Sequence, residues 1–374
     1  MDPLAYLDPR TGRTWPLETP RWCGDGGEPL LLTDLPGLAP DDIDHGTRGL
    51  WRYRAALPPL AGEPITLGEG GTPLVPRGIA GATALLKCEW LMPTGSFKDR
   101  GASVMLSLLR AQGVDAVLED SSGNGGAAIA ADAAAGGLRA KIMVPESTSP
   151  AKTVQSRASG AEIALVPGSR QDCADAAIRE ATNIFYASHN WHPFFLQGTK
   201  TLAYELWEDL GFQAPDNVIM PCGAGSNVLG CGIGFSELLR AGQIEAMPRL
   251  FAAQPAHCAP IAREFLGLDA AEPQPTIAEG TAIAQPIRAR ECLGILRLSR
   301  GGAVMLSEAE IGEATLSLAR TGLYVEPTSA QAAAAFAKLL AAGTIRPEER
   351  TVVVLTGSGL KATPRIAGLL GIAP

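Results

Sequence analysis

The chain has 374 residues, 46% of them hydrophobic, with 39 acidic against 31 basic side chains and a net charge of −8. This length is too great for one small core and fits two domains. The apolar content excludes a disordered chain, and with no basic run interleaved with aromatics there is no electrostatic footprint for nucleic acid. Seven cysteines, an odd number with no C-x-x-C spacing, argue against a disulfide framework and a zinc knuckle. No apolar leader opens the sequence and no stretch nears the ~20 apolar residues of a membrane span. The expected location is a reducing cytoplasm, with neither nucleic acid nor membrane as partner.

Residues 1–75 are rich in Pro and Gly and read as an irregular extension wrapped on a domain. Beyond them, short apolar runs alternate with Ala/Leu-rich amphipathic segments, the pattern of parallel strands joined by helices. Strands are expected at 84–88, 116–119, 140–144, 162–166, 217–221, 250–253 and 351–356. Helices are expected at 97–111, 125–135, 152–159, 171–182, 199–210, 228–241, 308–321 and 329–341, and 271–285 reads as loop. The fold class is therefore α/β, with parallel sheets flanked by helices. Several helices open on Gly- or Ser-rich turns, whose bare N–H groups at a positive helix end suit phosphate or carboxylate.

Four stretches carry candidate chemistry. In Pro93-Thr94-Gly95-Ser96-Phe97-Lys98-Asp99-Arg100-Gly101 a turn of small residues delivers a lysine into the first helical turn. Burial there, at a helix N-terminus, would bias Lys98 toward the neutral amine that attacks an aldehyde; the plain alternative is a solvated lysine. Ser121-Ser122-Gly123-Asn124-Gly125-Gly126 is either a capped turn needing no ligand or a cradle for an amino-acid carboxylate.

Gly223-Ala224-Gly225-Ser226-Asn227 follows the expected strand 217–221 and fits a monophosphate cup or a simple tight turn. A dinucleotide fingerprint would need glycine where Val228 stands, no Gly-Lys-Ser/Thr follows, and no acidic ribose-binding residue lies ~20 residues on, which weakens a nucleotide-binding reading. Leu355-Thr356-Gly357-Ser358-Gly359-Leu360-Lys361 puts hydroxyls at the C-terminal edge of the sheet, as ligand groups or as satisfied turn hydroxyls.

Taken in order, PTGSFKDR, SSGN, GAGSN and TGSGLK resemble the threonine-synthase-like branch of the fold-type II, tryptophan synthase beta-like, pyridoxal-phosphate enzymes. Gly68-Glu69-Gly70-Gly71-Thr72-Pro73-Leu74, Gln197-Gly198-Thr199-Lys200-Thr201 and Glu326-Pro327-Thr328-Ser329-Ala330 extend the likeness over most of the chain. The resemblance implies pyridoxal 5'-phosphate as cofactor, held as a Schiff base by Lys98, which then moves substrate protons. It implies Asn124 at the ring hydroxyl and Gly223, Ala224, Gly225, Ser226 and Asn227 at the phosphate. Thr356 would sit at the pyridine nitrogen, with Ser358 a second candidate. Ser121, Ser122, Gly123 and Gly125 would receive the substrate carboxylate. A hydroxyl cannot protonate the pyridine as an aspartate would, which suits elimination and replacement over transamination.

The implied architecture has a larger cofactor domain (76–90 plus 191–374) and a smaller mobile domain (91–190), with a homodimer as the family-level expectation. The implied reaction is elimination or replacement at the β or γ carbon of an α-amino acid. The alternatives are an ammonia-lyase acting on threonine, serine or a substituted relative, and a catalytically silent cofactor-binding protein.

Three departures bear on the substrate. His192-Pro193-Phe194-Phe195 places Phe195 where threonine synthases carry an arginine for the substrate phosphate, and a phenyl ring cannot make that bidentate contact. This argues against O-phosphohomoserine and puts Phe195 in the substrate wall. Gly125 replaces a threonine, Met92 replaces an asparagine, and His189 and His192 either read a polar substrate side chain or merely flank a helix. Cys23 lacks the partner thiol of some relatives, so no metal site is expected.

Overall fold

The computed structural model describes residues 3–372, and the chain divides into two compact units. The first takes the chain through Gly70 and again over Lys98–Thr201; the second takes Gly71–Phe97 and everything from Leu202 onward. Both are α/β layers, as the alternation of patterns predicts. Among the described residues no helix is long and apolar enough to cross a membrane.

The first unit holds a four-stranded parallel sheet in the order Glu162–Val166, Arg139–Pro145, Ala116–Glu119, Phe185–Tyr186. Strand Ala116–Glu119 feeds helix Asn124–Gly136, which is mostly alanine, the strongest helix former, and stops at Gly137 in the left-handed conformation (φ +71°). Its small side chains let it pack on helix Lys98–Ala111, and Val104, Met105, Leu108, Ile129 and Ala133 share one core.

The N-terminal segment is built into that core. It contributes a small antiparallel sheet of Thr14–Pro16, Ala5–Leu7 and Leu31–Leu32, and Leu50, Trp51 and Ile65 are buried with it. Trp51 Nε1–H donates to Ser103 Oγ (2.9 Å) and the Ile65 N–H to Ser107 Oγ (2.8 Å), so this segment is tied to the helix that begins at Lys98.

The second unit holds a six-stranded sheet ordered Gly302–Leu306, Arg249–Pro255, Asn217–Pro221, Thr351–Val354, Ala82–Lys87, Leu74–Ile79. Five strands are parallel; Leu74–Ile79, with Pro76, pairs antiparallel at the edge, where a missing N–H is tolerated. Both edge strands and helix Ala289–Leu298 lie outside the elements expected from sequence. The helix expected at 199–210 is Thr201–Asp209, preceded by a separate helix Pro193–Thr199.

Lys87 is fully buried in this unit. Its Nζ meets Thr72 O (2.6 Å), Glu205 Oε1 (2.6 Å) and Asp209 Oδ2 (2.7 Å). Glu205 also accepts the Gly71 and Thr72 N–H groups (2.9 and 2.8 Å), so a two-acid cage around one cation fixes the Gly71-Thr72-Pro73 turn.

Candidate active site

In the first unit Lys98 is the first residue of helix Lys98–Ala111 and is half-buried. Its Nζ lies 5.5 Å from the centroid of the Phe195 ring, which is itself wholly buried. One helical turn on, Gly101 makes room for that ring: a Cβ there would stand 2.5 Å from three of its carbons. A Cβ at Gly198 would stand 2.0 Å from Arg100 O, so the helix carrying Phe195 packs backbone to backbone on the helix carrying Lys98. Phe195 thus forms the floor under the amine.

The Ser121–Gly125 turn leads from strand Ala116–Glu119 into helix Asn124–Gly136, with Gly123 at the N-cap and half-buried Asn124 opening the helix. Ser121 Oγ accepts the Gly123 N–H at 3.3 Å, and Ser122 is half-buried beside it. A Cβ at Gly126 would collide with Ser121 O at 2.0 Å, and one at Gly125 would reach His189 Nδ1 at 2.7 Å. The loop is therefore a close-approach turn that keeps backbone N–H groups at a helix N-terminus.

The two histidines separate in role. His192 caps helix Pro193–Thr199, its Nδ1 accepting the Phe194 N–H at 3.1 Å. His189 faces the Ser121–Gly125 loop and stands 2.9 Å from buried Glu119 Oε2. Glu119 and Asp120 were not singled out from sequence, where they look like the polar end of a strand. Burial pushes the Glu119 carboxyl up, while burial and the Glu119 charge push Asp120 up to about 6. Asp120 also accepts the Tyr186 hydroxyl at 2.7 Å. His189 is held well below its ordinary range, first by burial and then by the Lys98 charge.

In the second unit Gly223-Ala224-Gly225 joins strand Asn217–Pro221 to helix Ser226–Arg240. Gly225 has φ +95°, and a Cβ on it would meet Cys292 Sγ at 2.0 Å, so only glycine fits. Ser226 and Asn227 are buried, and neither side-chain polar atom of Asn227 has a hydrogen-bond partner among the described residues. Such an orphaned amide beside a helix N-terminus fits an anionic group such as a cofactor phosphate.

At the end of strand Thr351–Val354, Thr356 Oγ1 is buried 3.1 Å from Ser329 Oγ, which also accepts the Gly357 N–H at 2.6 Å. Ser358 caps the next turn, its Oγ accepting from Leu360 N–H at 3.3 Å. Ser96, two residues before Lys98, is fully buried with an Oγ that lacks a partner among the described residues. Ser96 and Ser329 were missed as single residues, although both lie inside motifs the sequence displays.

The family described as pyridoxal-phosphate dependent enzyme matches residues 65–357. The threonine synthase of Methanocaldococcus jannaschii is 35% identical over 84% of this chain and 80% of that protein. The threonine synthase of Synechocystis sp. is 35% identical over 88% of each chain. Among solved structures, the processed form of threonine deaminase isoform 2 from Solanum lycopersicum overlays with a TM-score of 0.68 at 21% identity, covering 80% of this chain and 83% of that one. Maize serine racemase overlays with a TM-score of 0.64 at 23% identity, covering 77% of this chain and 88% of that one. The fold is that of these fold-type II enzymes, and the chain belongs to the pyridoxal-phosphate-dependent enzyme family.

Proposed function

We propose that this chain is a threonine-synthase-like lyase or synthase that eliminates or replaces a substituent at the β or γ carbon of an α-amino acid, with Lys98 as the amine that bonds the cofactor's aldehyde. The carrying observation is Lys98 itself: a half-buried amine at a helix start, floored by Phe195, in the unit that also holds the close-approach loop Ser121–Gly125. Relatives named threonine synthase at 35% identity support it. Bound pyridoxal phosphate supplies an electron sink conjugated to the substrate's α carbon.

The protein's own groups do the rest. Gly223–Asn227 bind the phosphate, the orphaned Asn227 amide donating to it, and Thr356, relayed to Ser329, meets the ring nitrogen, with Ser358 as second candidate. Asn124 donates to the ring hydroxyl. The Ser121, Ser122, Gly123 and Gly125 backbone holds the substrate carboxylate. Lys98 Nζ then takes the proton from the substrate's α carbon. Seven free thiols support a reducing, cytoplasmic setting.

The wall beside Lys98 favours a second reading. Phe195, beside the amine, and His189, against the same ring, are uncharged, the histidine being held neutral by burial and the Lys98 charge. A neutral wall suits a hydroxyl substituent better than a phosphate, which points to an ammonia-lyase. The test is the absorbance spectrum of the purified protein and of Lys98→Ala, followed by O-phosphohomoserine, threonine, serine and O-acetylserine. A band lost in Lys98→Ala, with phosphate released from O-phosphohomoserine, establishes a threonine synthase; ammonia and a keto acid establish the lyase. No band in the wild type defeats both.

A further inference from the structure

His189 and Glu119 form a buried polar pair with no task in the chemistry above. Glu119 closes strand Ala116–Glu119 and is 0% exposed; His189 is 5% exposed. Glu119 Oε2 accepts the His189 backbone N–H (3.1 Å) and stands 2.9 Å from its ring Nδ1, while Oε1 accepts the Asp120 N–H (2.9 Å). The ring is pinned by one nitrogen, and among the described residues Nε2 has no hydrogen-bond partner.

The ring's position is specific. Gly125 has no side chain where the imidazole lies: a Cβ would be 2.7 Å from Nδ1 and 2.8 Å from Cε1. The ring also meets Phe195, centroids 5.8 Å apart, and Lys98 Nζ lies 5.5 Å from that same phenyl centroid. The imidazole therefore touches the loop assigned to the substrate carboxylate and shares an aromatic neighbour with the amine assigned to the α-proton.

The structure assigns His189 a second proton-transfer role: its Nε2–H protonates the hydroxyl leaving the β carbon, with Glu119 positioning the ring and resupplying its proton. This rests on Lys98 and the Ser121–Gly125 loop serving as proposed. Burial favours the uncharged form of both groups, and Lys98, Asp120 and Arg170 are the charged groups whose fields reach the ring. The role requires Glu119 to carry a proton toward Nδ1 and the imidazole to carry its own on Nε2, with the ring and the carboxyl 2.9 Å apart.

As the carbon–oxygen bond breaks, its electron pair leaves with the hydroxyl oxygen, which takes the Nε2 proton. Nδ1 takes the Glu119 proton in the same step. Water departs, the imidazole stays neutral with its proton on Nδ1, and Glu119 is left as the carboxylate. The α-proton taken by Lys98 matches the proton delivered, so the elimination balances as loss of water. The substrate class is accordingly an α-amino acid with a β-hydroxyl, a group that leaves only when protonated.

The test uses pyridoxal-phosphate-loaded wild type, His189→Gln and Glu119→Gln, with serine, threonine and β-chloroalanine, whose chloride leaves without a proton. Two rates are read: washout of α-deuterium, which reports Lys98, and ammonia release. In His189→Gln, washout stays within about 3-fold of wild type, ammonia from the hydroxy amino acids falls at least ~100-fold, and ammonia from β-chloroalanine is retained. Glu119→Gln, which keeps the ring in place, shows the same split and carries the test if His189→Gln does not fold.

Independently of turnover, the imidazole 15N resonance that vanishes in His189→Gln reports a neutral ring at pH 6, with its Nε2–H and Nδ1 signals changed in Glu119→Gln. Equal losses on all three substrates, unchanged ammonia release from serine and threonine, or a charged ring at pH 6 overturn the assignment. Absence of any Lys98-dependent washout in the wild type is a separate result, which sinks the reading of the site and this role with it.

Discussion

Gly101→Ala tests whether Phe195 is locked beneath Lys98. The new Cβ would stand 2.5 Å from three ring carbons of a fully buried phenylalanine, against the 3.5–4.0 Å of an ordinary carbon contact. A retreat of the ring with its helix would pull Gly198 off the Arg100 carbonyl, against which that helix packs backbone to backbone. Overpacking of this kind costs ~1–3 kcal/mol, and an overlap above 1 Å belongs at the upper end. Replacing glycine by alanine inside a helix returns ~1 kcal/mol. The net is a loss of about 2 kcal/mol, which for a unit of this size lowers Tm by roughly 4–8 °C.

Thermal unfolding of the cofactor-free protein, followed by far-ultraviolet circular dichroism, reads this directly. Adding Phe195→Leu should restore more than half of the loss, since the two positions touch and their effects do not add. A single variant as stable as the wild type would show that the ring yields freely, and the description of a fixed floor under Lys98 would fall.

Three further outcomes follow from other parts of the molecule. Lys87→Met removes the cation from buried Glu205 and from Asp209 at the surface and should cost ~3–5 kcal/mol in denaturant unfolding, partly recovered by adding Glu205→Gln. Asn227→Ala should weaken pyridoxal-phosphate binding about 10–100-fold in an absorbance titration while leaving the cofactor-free protein no less stable, because it deletes an orphaned buried amide. Asp132, 1% exposed with neither carboxyl oxygen bonded among the described residues, is raised well above the usual carboxylate range by burial and then by Glu69 and Asp99. A folded-state pKa raised above the unfolded one means stability is lost as pH rises through it; Asp132→Asn should therefore raise Tm at pH 8 and gain progressively less toward pH 4.

What was legible in the sequence was what depends on neighbours in the chain. Strands Ala116–Glu119, Glu162–Val166 and Asn217–Pro221 read directly from short apolar runs bounded by turns. The edge strands did not: Leu74–Ile79 contains Pro76 and Gly78, and Gly302–Leu306 opens on the Gly301-Gly302 pair, which reads as a turn. Lys98 and the loops Ser121–Gly125 and Gly223–Asn227 announce themselves because close approach demands glycine, and glycine is visible in one dimension. His189 stood out as a candidate substrate contact, but Glu119, 70 positions away, did not; their pairing exists only once strand Ala116–Glu119 lies beside strand Phe185–Tyr186. The missing side chain at Gly125 was visible, and its reason, the His189 ring filling that space, was not.

The knitting of the N-terminal segment onto helix Lys98–Ala111 also sets an order of events during synthesis. Trp15, Leu50 and Trp51 emerge early, yet the core they enter also needs Val117, Ile142, Ala187 and Phe195. At ~5–20 residues per second, the interval between residue 70 and residue 195 is roughly 6–25 s. Over that time a tryptophan-bearing apolar surface waits for its partners, so the nascent chain, more than the finished enzyme, is the form with most to gain from a chaperone.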